Sequence, residues 1–271
     1  MTTTVRPIRF DPALLSELEA RSHRAGEDLS RVVNAAVERY LHDDGGAPAP
    51  ESGPDLGASA AALARALVAG DAREAQRIVD AAVAAGAQVI DVHCDLLTPA
   101  LHDVGHRWAA DEITIADEHR ATEVVARLLG TIAPDRRLPP TTGRLAIVTC
   151  TPDEQHVLGT RMVADLLERA GWEVIALGAA TPVPELLALA ASECPDLVAL
   201  STSTAGRLPG VQAAIVGLAA IDPRPVIAVG GPIYGPETAG FARDLGADVV
   251  AADVRELLAF VRRRLPPLPA A

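Results

Sequence analysis

Residues 144–178 read RLAIVTCTPDEQHVLGTRMVADLLERAGWEVIALG, and their pattern indicates the fold class. It contains two short apolar runs, LAIVTC and EVIALG, with an amphipathic segment of helical length between them. The alternation continues toward the C-terminus with three further apolar runs, LVALS, VIAVGG and VVAAD. Short apolar strands joined by helices are typical of a parallel sheet that is buried on both faces. Residues 144–265 are therefore predicted to form an α/β domain with a doubly wound parallel sheet, of the Rossmann or flavodoxin-like type.

The segment before this domain is helical. Residues 57–135 hold four Ala-, Val- and Leu-rich helical patterns, at roughly 57–69, 71–85, 87–109 and 114–132. Thr114 and Asp117 have the spacing of a capping box at the start of the fourth pattern. Four apolar helices with short connections predict a four-helix bundle. A proline-rich linker at 134–143 follows it.

Residues 1–42 are predicted to form a separate small module, followed by a Gly- and Pro-rich linker at 43–56. Ile8 and Phe10 indicate a short strand, and two amphipathic helices follow it. One strand and two helices bury little surface alone, so we expect this module to dimerise.

The module resembles the ribbon-helix-helix DNA-binding family. That resemblance implies a strand placed in the major groove, with Val5, Pro7 and Arg9 facing outward and Arg6 and Arg9 as the candidate DNA-binding residues. The module carries six Arg against six Asp and Glu, which is a weak charge for attracting phosphates. A helical dimerisation module is the alternative interpretation.

Composition narrows the class of function. The net charge of −12 argues against a protein that coats nucleic acid, and the absence of lysine excludes Schiff-base catalysis. Cys94, Cys150 and Cys194 form no C-x-x-C pair, so we interpret them as buried apolar residues in a reducing compartment. Without an apolar signal segment or a long apolar run, the protein is expected to be cytoplasmic and not bound to a membrane.

The loop after the first strand carries a candidate metal ligand. In PDEQHVLG, Glu154, His156 and Gly159 form the pattern Glu-x-His-x-x-Gly. A histidine at the carboxyl end of a parallel strand lies where open α/β sheets bind ligands. A neutral imidazole can coordinate cobalt, while a carboxylate two residues earlier accepts the proton of its other nitrogen. Alone the pattern is weak, because acidic residues at a helix start are common.

Further loops are expected to meet at the same edge. LGAATP, LSTSTAG and VGGPIYG each follow a predicted strand. Ser201, Thr202 and Ser203 offer hydroxyl groups to a polar ligand, and Gly230 and Gly231 let a ligand approach the backbone closely.

This order of motifs resembles the cobalamin-binding domain family, which has Asp-x-His-x-x-Gly, a Ser-rich loop and Gly-Gly in the same sequence. The resemblance implies that His156 replaces the cofactor's own base as the lower cobalt ligand, the base-off/His-on mode, while the displaced nucleotide tail enters the sheet edge. Glu154 stands where most members have Asp, and a longer carboxylate can keep the contact.

Trp108, Glu118 and His119 lie at the junction of the third and fourth helical patterns, with the spacing Trp-x9-Glu-His. With the downstream motifs, this spacing resembles the CarH-type adenosylcobalamin photoreceptor family. The resemblance covers about residues 57–265 and implies that Trp108 packs over the adenosyl group while Glu118 and His119 contact the upper face. Without it, Trp108 is a bundle cap and Glu118 a favourable charge at a helix N-terminus.

Two departures from that family stand out. Its members carry a MerR-type helix-turn-helix head, which this chain lacks, and a histidine directly after the Trp, where this chain has Ala109. A state with two histidines on cobalt is therefore in doubt. His106 and His119 are nearby, but neither is the matching residue. The remaining histidines are interpreted as surface or bundle residues: His23, His42, His93 and His102.

The expected function is a light-responsive transcriptional regulator, not an enzyme, that binds adenosylcobalamin. Loss of the adenosyl group would change how a homo-oligomer, dimer or tetramer, assembles and binds operator DNA. One alternative is a corrinoid carrier that passes methyl groups between methyltransferases, and another is an α/β binding module that needs no cobalamin.

Overall fold

A computed structural model describes residues 55–132 and 139–268, together with Ser22 and Leu29. The chain divides into two compact units, Met1–Ser52 and Gly53–Ala271. The predicted ribbon-helix-helix module at 1–42, with Arg6 and Arg9, lies outside the described residues apart from two isolated positions. The second unit contains the helical region and the sheet.

Within residues 55–132, four helices form the first layer of this unit: α1 (Gly57–Ala69), α2 (Ala72–Ala84), the long helix α3 (residues 89–109) and α4 (Ile115–Leu129). The predicted capping box is present, because the Thr114 hydroxyl accepts from the Asp117 N–H while the Asp117 carboxylate accepts from the Thr114 N–H. The bundle predicted from the four helical patterns is confirmed.

α3 consists of three consecutive segments, Val89–Asp91, Val92–Leu97 and Thr98–Ala109, and its middle segment is a π-helix. The backbone N–H of Thr98 donates to the carbonyl of His93, five residues earlier. A π segment contains one residue more per hydrogen-bonded ring than an α-helix, so the apolar pattern alone could not separate it from regular helix.

Within residues 139–268 the sheet has five parallel strands in the order β2-β1-β3-β4-β5. They are β1 (Leu145–Cys150), β2 (Glu173–Gly178), β3 (Leu197–Ser201), β4 (Val226–Gly230) and β5 (Val249–Ala251). The connecting and flanking helices are α5 (Leu158–Arg169), α6 (Val183–Glu193), α7 (Leu208–Ala219), α8 (Pro236–Asp244) and α9 (Val254–Arg264). This is the flavodoxin-like doubly wound order, whose ligand sites lie outside the carboxyl ends of the strands.

Helices cover both faces of the sheet, and each face has its own apolar core. A third core fills the bundle and includes Leu158 and Met162 of α5. α5 therefore packs against the bundle on one side and the sheet on the other. Because α5 begins two residues after His156, the bundle lies close to the predicted ligand loop.

The interpretation of the cysteines as uniformly buried was wrong. Cys150 is buried at the end of β1, but Cys94 is half-buried and Cys194 is exposed at the C-terminus of α6. All three are free thiols. Among the described residues, no helix has the length and hydropathy needed to cross a membrane.

Candidate functional site at the carboxyl edge of the sheet

The loops that leave β1, β2, β3 and β4 are joined by backbone hydrogen bonds. Thr151 donates to the Ser201 carbonyl at 3.0 Å, and Thr202 donates to the Gly230 carbonyl at 3.0 Å. The Ala180 N–H donates to the Glu154 carbonyl at 3.1 Å. The loops thus form one continuous surface, at the sheet edge where the strand order predicts a ligand.

Glu154 and His156 form the centre of this surface. Glu154 is buried, with 1% of the residue exposed, whereas 63% of the His156 side chain is exposed. Oε1 of Glu154 pairs with Nδ1 of His156 and also accepts from the His156 backbone N–H. With Nδ1 engaged by a carboxylate, Nε2 is the ring nitrogen left to bind a ligand. This is the donor arrangement of a metal-binding histidine held by a buried carboxylate.

Glu154 also reaches the loop after β3, because its Oε2 accepts from the Ser203 N–H at 2.8 Å. Burial tends to raise the pKa of Glu154, but the hydrogen bonds from Ser203 and His156 outweigh it and hold the pKa below its usual value. The carboxylate is therefore ionised at neutral pH, as it must be to accept all these bonds.

The hydroxyl-bearing loop after β3 is only partly open. Ser201 and Ser203 are half-buried, whereas Thr202 is fully buried. The Thr202 hydroxyl lies 3.5 Å from the Tyr234 hydroxyl, and burial raises the pKa of Tyr234. Among the three hydroxyl groups that were predicted to bind a ligand, that of Thr202 therefore faces the Tyr234 side chain.

Gly231 packs closely against the backbone of Thr202, in the loop after β3. Its φ is +117°, and a Cβ built there would lie 2.2 Å from the Thr202 carbonyl oxygen. Only glycine fits this position. Gly159 is less constrained, since its Cβ would lie 3.6 Å from the Ser201 hydroxyl.

Trp108 lies near the C-terminal end of α3 and is 46% exposed. Nε2 of His93 lies 3.8 Å from Asp165, and the Thr98 hydroxyl lies 3.9 Å from the Met162 sulfur, so α3 runs antiparallel to α5. At 1.5 Å per residue, Trp108 is about 15 Å beyond Thr98, whereas α5 begins only about 6 Å beyond Met162. Trp108 therefore extends past the start of α5, toward the side on which the His156 loop lies.

Glu118 and His119 lie in the first turn of α4. The Glu118 carboxylate accepts from the Thr122 hydroxyl at 2.9 Å and lies 3.7 Å from Nε2 of His119, whose side chain is 72% exposed. The last residue of α5, Arg169, donates to the carbonyl of Ile132 beyond the end of α4. α4 and α5 therefore end side by side, so the Glu118 turn lies toward the end where α5 begins.

Two features of the site escaped sequence reasoning. Tyr234 belongs to the VGGPIYG loop, and the signal that could have singled it out is the rarity of aromatic residues, which make up 3% of the chain. Arg255, at the start of α9, binds Asp95 and Asp91 of α3 at 2.6–2.9 Å and so fastens the bundle to the sheet. No linear motif connects residues about 160 positions apart.

Comparisons with known proteins agree with this architecture. Residues 144–261 match the B12 binding domain family, and residues 59–132 match a second B12 binding domain model. The chain is 34% identical over 109 residues to the HTH-type transcriptional repressor CarH of Myxococcus xanthus, covering 40% of this chain and 36% of that protein. It is 33% identical over 145 residues to the repressor CarA of the same organism, covering 52% and 48%. It thus spans less than half the length of either repressor.

Among solved structures, the monomethylamine corrinoid protein of Methanosarcina barkeri has the same fold. The TM-score is 0.63 at 19% identity, covering 75% of this chain and 96% of that one. The two B12 binding domain models confirm the cobalamin-binding resemblance drawn from the sequence motifs.

Proposed function

This chain belongs to the B12-binding domain family, and from that premise we propose that it is an adenosylcobalamin-dependent photoreceptor that regulates transcription. The observation that carries the proposal is the set of contacts made by Glu154, which binds the His156 ring and the Ser203 backbone at once. When bound, adenosylcobalamin supplies a cobalt–carbon bond that visible light can break. The chain itself has no enzymatic role in this proposal.

His156 would be the lower cobalt ligand, in the base-off/His-on mode. The exposed ring offers Nε2, while the ionised Glu154 holds the proton on Nδ1 and fixes the ring orientation. Ser201, Thr202, Ser203, Gly230 and Gly231 would line the region that takes the nucleotide tail, and Gly159 would leave room beside the corrin.

The upper face would be covered by the bundle. Trp108 would pack against the adenosyl group, with Glu118 and His119 at the rim. This placement is supported by the direction of α3 and α4 and by the exposure of the Trp108 and His119 side chains. Ala109 follows Trp108 and has no group that can bind cobalt, so loss of adenosyl would leave the space under Trp108 without a ligand from that position.

Loss of the adenosyl group would let the bundle shift against the sheet and change an oligomer interface. The chain would act as a homo-oligomer, dimer or tetramer, and residues 1–42, with Arg6 and Arg9, would bind operator DNA. The relatives CarH and CarA are named transcriptional repressors, and that supports a regulatory role.

A corrinoid methyl carrier is the second candidate. The fold shared with the Methanosarcina corrinoid protein favours it. A carrier needs an accessible upper face, which Trp108 and the Glu118–His119 turn would obstruct.

Absorption spectra and size-exclusion profiles of adenosylcobalamin-loaded protein, before and after green light, test the proposal. A spectral change with a change in oligomer size supports a photoreceptor. Photolysis without any change in size or DNA affinity would favour the carrier. No cobalamin binding would refute both.

A further inference from the structure

The π-helical segment Val92–Leu97 interrupts α3 at the place where this helix contacts α5. Within the segment, the carbonyl of His93 accepts from both the backbone N–H and the hydroxyl of Thr98, the latter at 2.8 Å. The flanking turns of α3 are regular α-helix. Single π-helical turns inside α-helices are rare and frequently lie at functional sites.

His93 is the least satisfied polar group in this region. The residue is 1% exposed, and neither ring nitrogen has a hydrogen-bond partner among the residues that the structure describes. A buried polar group without a hydrogen-bond partner destabilises the arrangement that holds it. Nε2 lies 3.8 Å from Oδ2 of Asp165 on α5, which is roughly 1 Å too far for a hydrogen bond.

Asp165 already has a partner in this position of the helices. Its Oδ2 accepts from Nε of Arg169 at 2.8 Å, one turn further along α5. Asp165 and Arg169 are the charged groups that act on His93 within residues 55–132 and 139–268; the carboxylate favours protonation and the guanidinium opposes it. A small movement of α3 along α5 would bring the imidazole to the carboxylate.

We propose that the segment Val92–Leu97 is a joint at which α3 takes two positions along α5, and that His93 donates a hydrogen bond to Asp165 in the second position. The joint goes beyond the proposed function, since it concerns two helices of this chain with or without cofactor. The joint lies between two parts of the candidate site, because α3 ends beside Trp108 and α5 begins two residues after His156. A shift at the joint therefore moves Trp108 relative to the His156 loop.

Protonation of His93 should shift the joint to its second position without any cofactor, because a charged imidazole is attracted to the Asp165 carboxylate. The test follows histidine ring and tryptophan indole NMR signals of the cofactor-free full chain as the pH falls from 7. His93→Gln assigns the ring signal. We expect the Trp108 indole signal to shift with the same midpoint as His93, while Trp172, which lies in the sheet core, stays fixed.

Two substitutions keep the test decisive. Asp165→Asn should abolish the Trp108 shift. Arg169→Gln should move its midpoint toward neutral pH, where acid unfolding does not interfere. A Trp108 signal that stays fixed while His93 titrates in the wild-type and Arg169→Gln proteins would overturn the joint. Because no cofactor is used, this result is independent of whether the chain binds cobalamin.

Discussion

Glu154 accepts a hydrogen bond from the backbone N–H of Ser203 at 2.8 Å, across the gap between the loops that follow β1 and β3. The same carboxylate holds the ring of His156. One buried side chain thus fixes both the candidate metal ligand and the neighbouring loop. The stretch between β1 and α5 is for this reason tied to the loop that follows β3.

Replacing the carboxylate of Glu154 should weaken cobalamin binding. In Glu154→Gln a neutral amide replaces the charged carboxylate that accepts the Nδ1–H and backbone N–H bonds. We therefore expect the dissociation constant for cobalamin to rise about 10- to 100-fold, as it does for other residues that orient metal ligands. Equilibrium absorption titrations measure it. Glu193→Gln, at an exposed position on α6, is the control. Unchanged affinity in Glu154→Gln would contradict the assigned role.

Removing the Trp108 side chain should affect one form of the cofactor more than another. In Trp108→Ala we expect affinity for adenosylcobalamin to fall about tenfold, because an aromatic contact contributes about 1 kcal/mol beyond the area it covers. Hydroxocobalamin has no adenosyl group and should bind as before. Leu268→Ala is the matched control, since Leu268 is also 46% exposed. Equal losses for both cofactors would place Trp108 away from the adenosyl group.

A methyl group at position 231 should be incompatible with the loop geometry. Gly231→Ala adds a Cβ at a φ of +117° and 2.2 Å from the Thr202 carbonyl oxygen, so we expect a loss of at least about 2 kcal/mol in unfolding free energy. Gly235→Ala in the same loop is the control, because its φ is −96° and its Cβ meets open space. Denaturant unfolding compares the two. Similar stabilities would show that the loop adjusts freely.

His93 should make the fold sensitive to acid. Burial lowers the pKa of His93 from 6.5 to about 4, against the raising effect of Asp165, so the folded protein prefers the neutral ring. The stability that depends on the neutral His93 ring is fully present above pH 6.5. As the pH falls toward 4, the unfolding free energy drops by up to about 3 kcal/mol. The difference in unfolding free energy between His93→Leu and wild type should therefore grow in favour of the variant over this range. A pH-independent difference would show that His93 protonates as easily in the fold as in the unfolded chain.

The ion pairs between Arg255 and the bundle should contribute modestly to the unfolding free energy, and this contribution should depend on salt. Arg255 pairs with Asp91 and Asp95, and these side chains are 32–50% exposed, so solvent screening limits the coupling to about 1 kcal/mol. A double-mutant cycle with Arg255→Met and Asp95→Asn measures this coupling. Arg224 and Asp248, which pair within the sheet domain, provide the reference cycle. A coupling that is unaffected by 1 M salt would argue against a solvent-exposed ion pair.

The sequence was enough to predict the bundle and the parallel sheet, because apolar periodicity and end signals such as Thr114 and Asp117 are local. Each described helix of the bundle and each described strand lies within a few residues of the predicted pattern. Glu154 and His156 could be selected for the same reason, since they are two residues apart in one loop.

What the sequence left out depends on contacts between distant residues. The burial of His93 against α5, the contact of Thr202 with Tyr234 and the pairing of Arg255 with Asp95 join segments far apart in the chain. The π segment of α3 has the same apolar pattern as ordinary helix, so its extra residue per turn is visible only once the backbone is placed.

In the proposed site, His156 coordinates cobalt in place of the cofactor's own base. Electron paramagnetic resonance of the protein labelled with ¹⁵N-histidine and loaded with cob(II)alamin tests it directly. A ¹⁵N ligand splits each cobalt line into two, and we expect this doublet in the wild type and its loss in His156→Ala. A triplet from unlabelled ¹⁴N in the wild type would show that the cofactor keeps its own base, and would contradict the account.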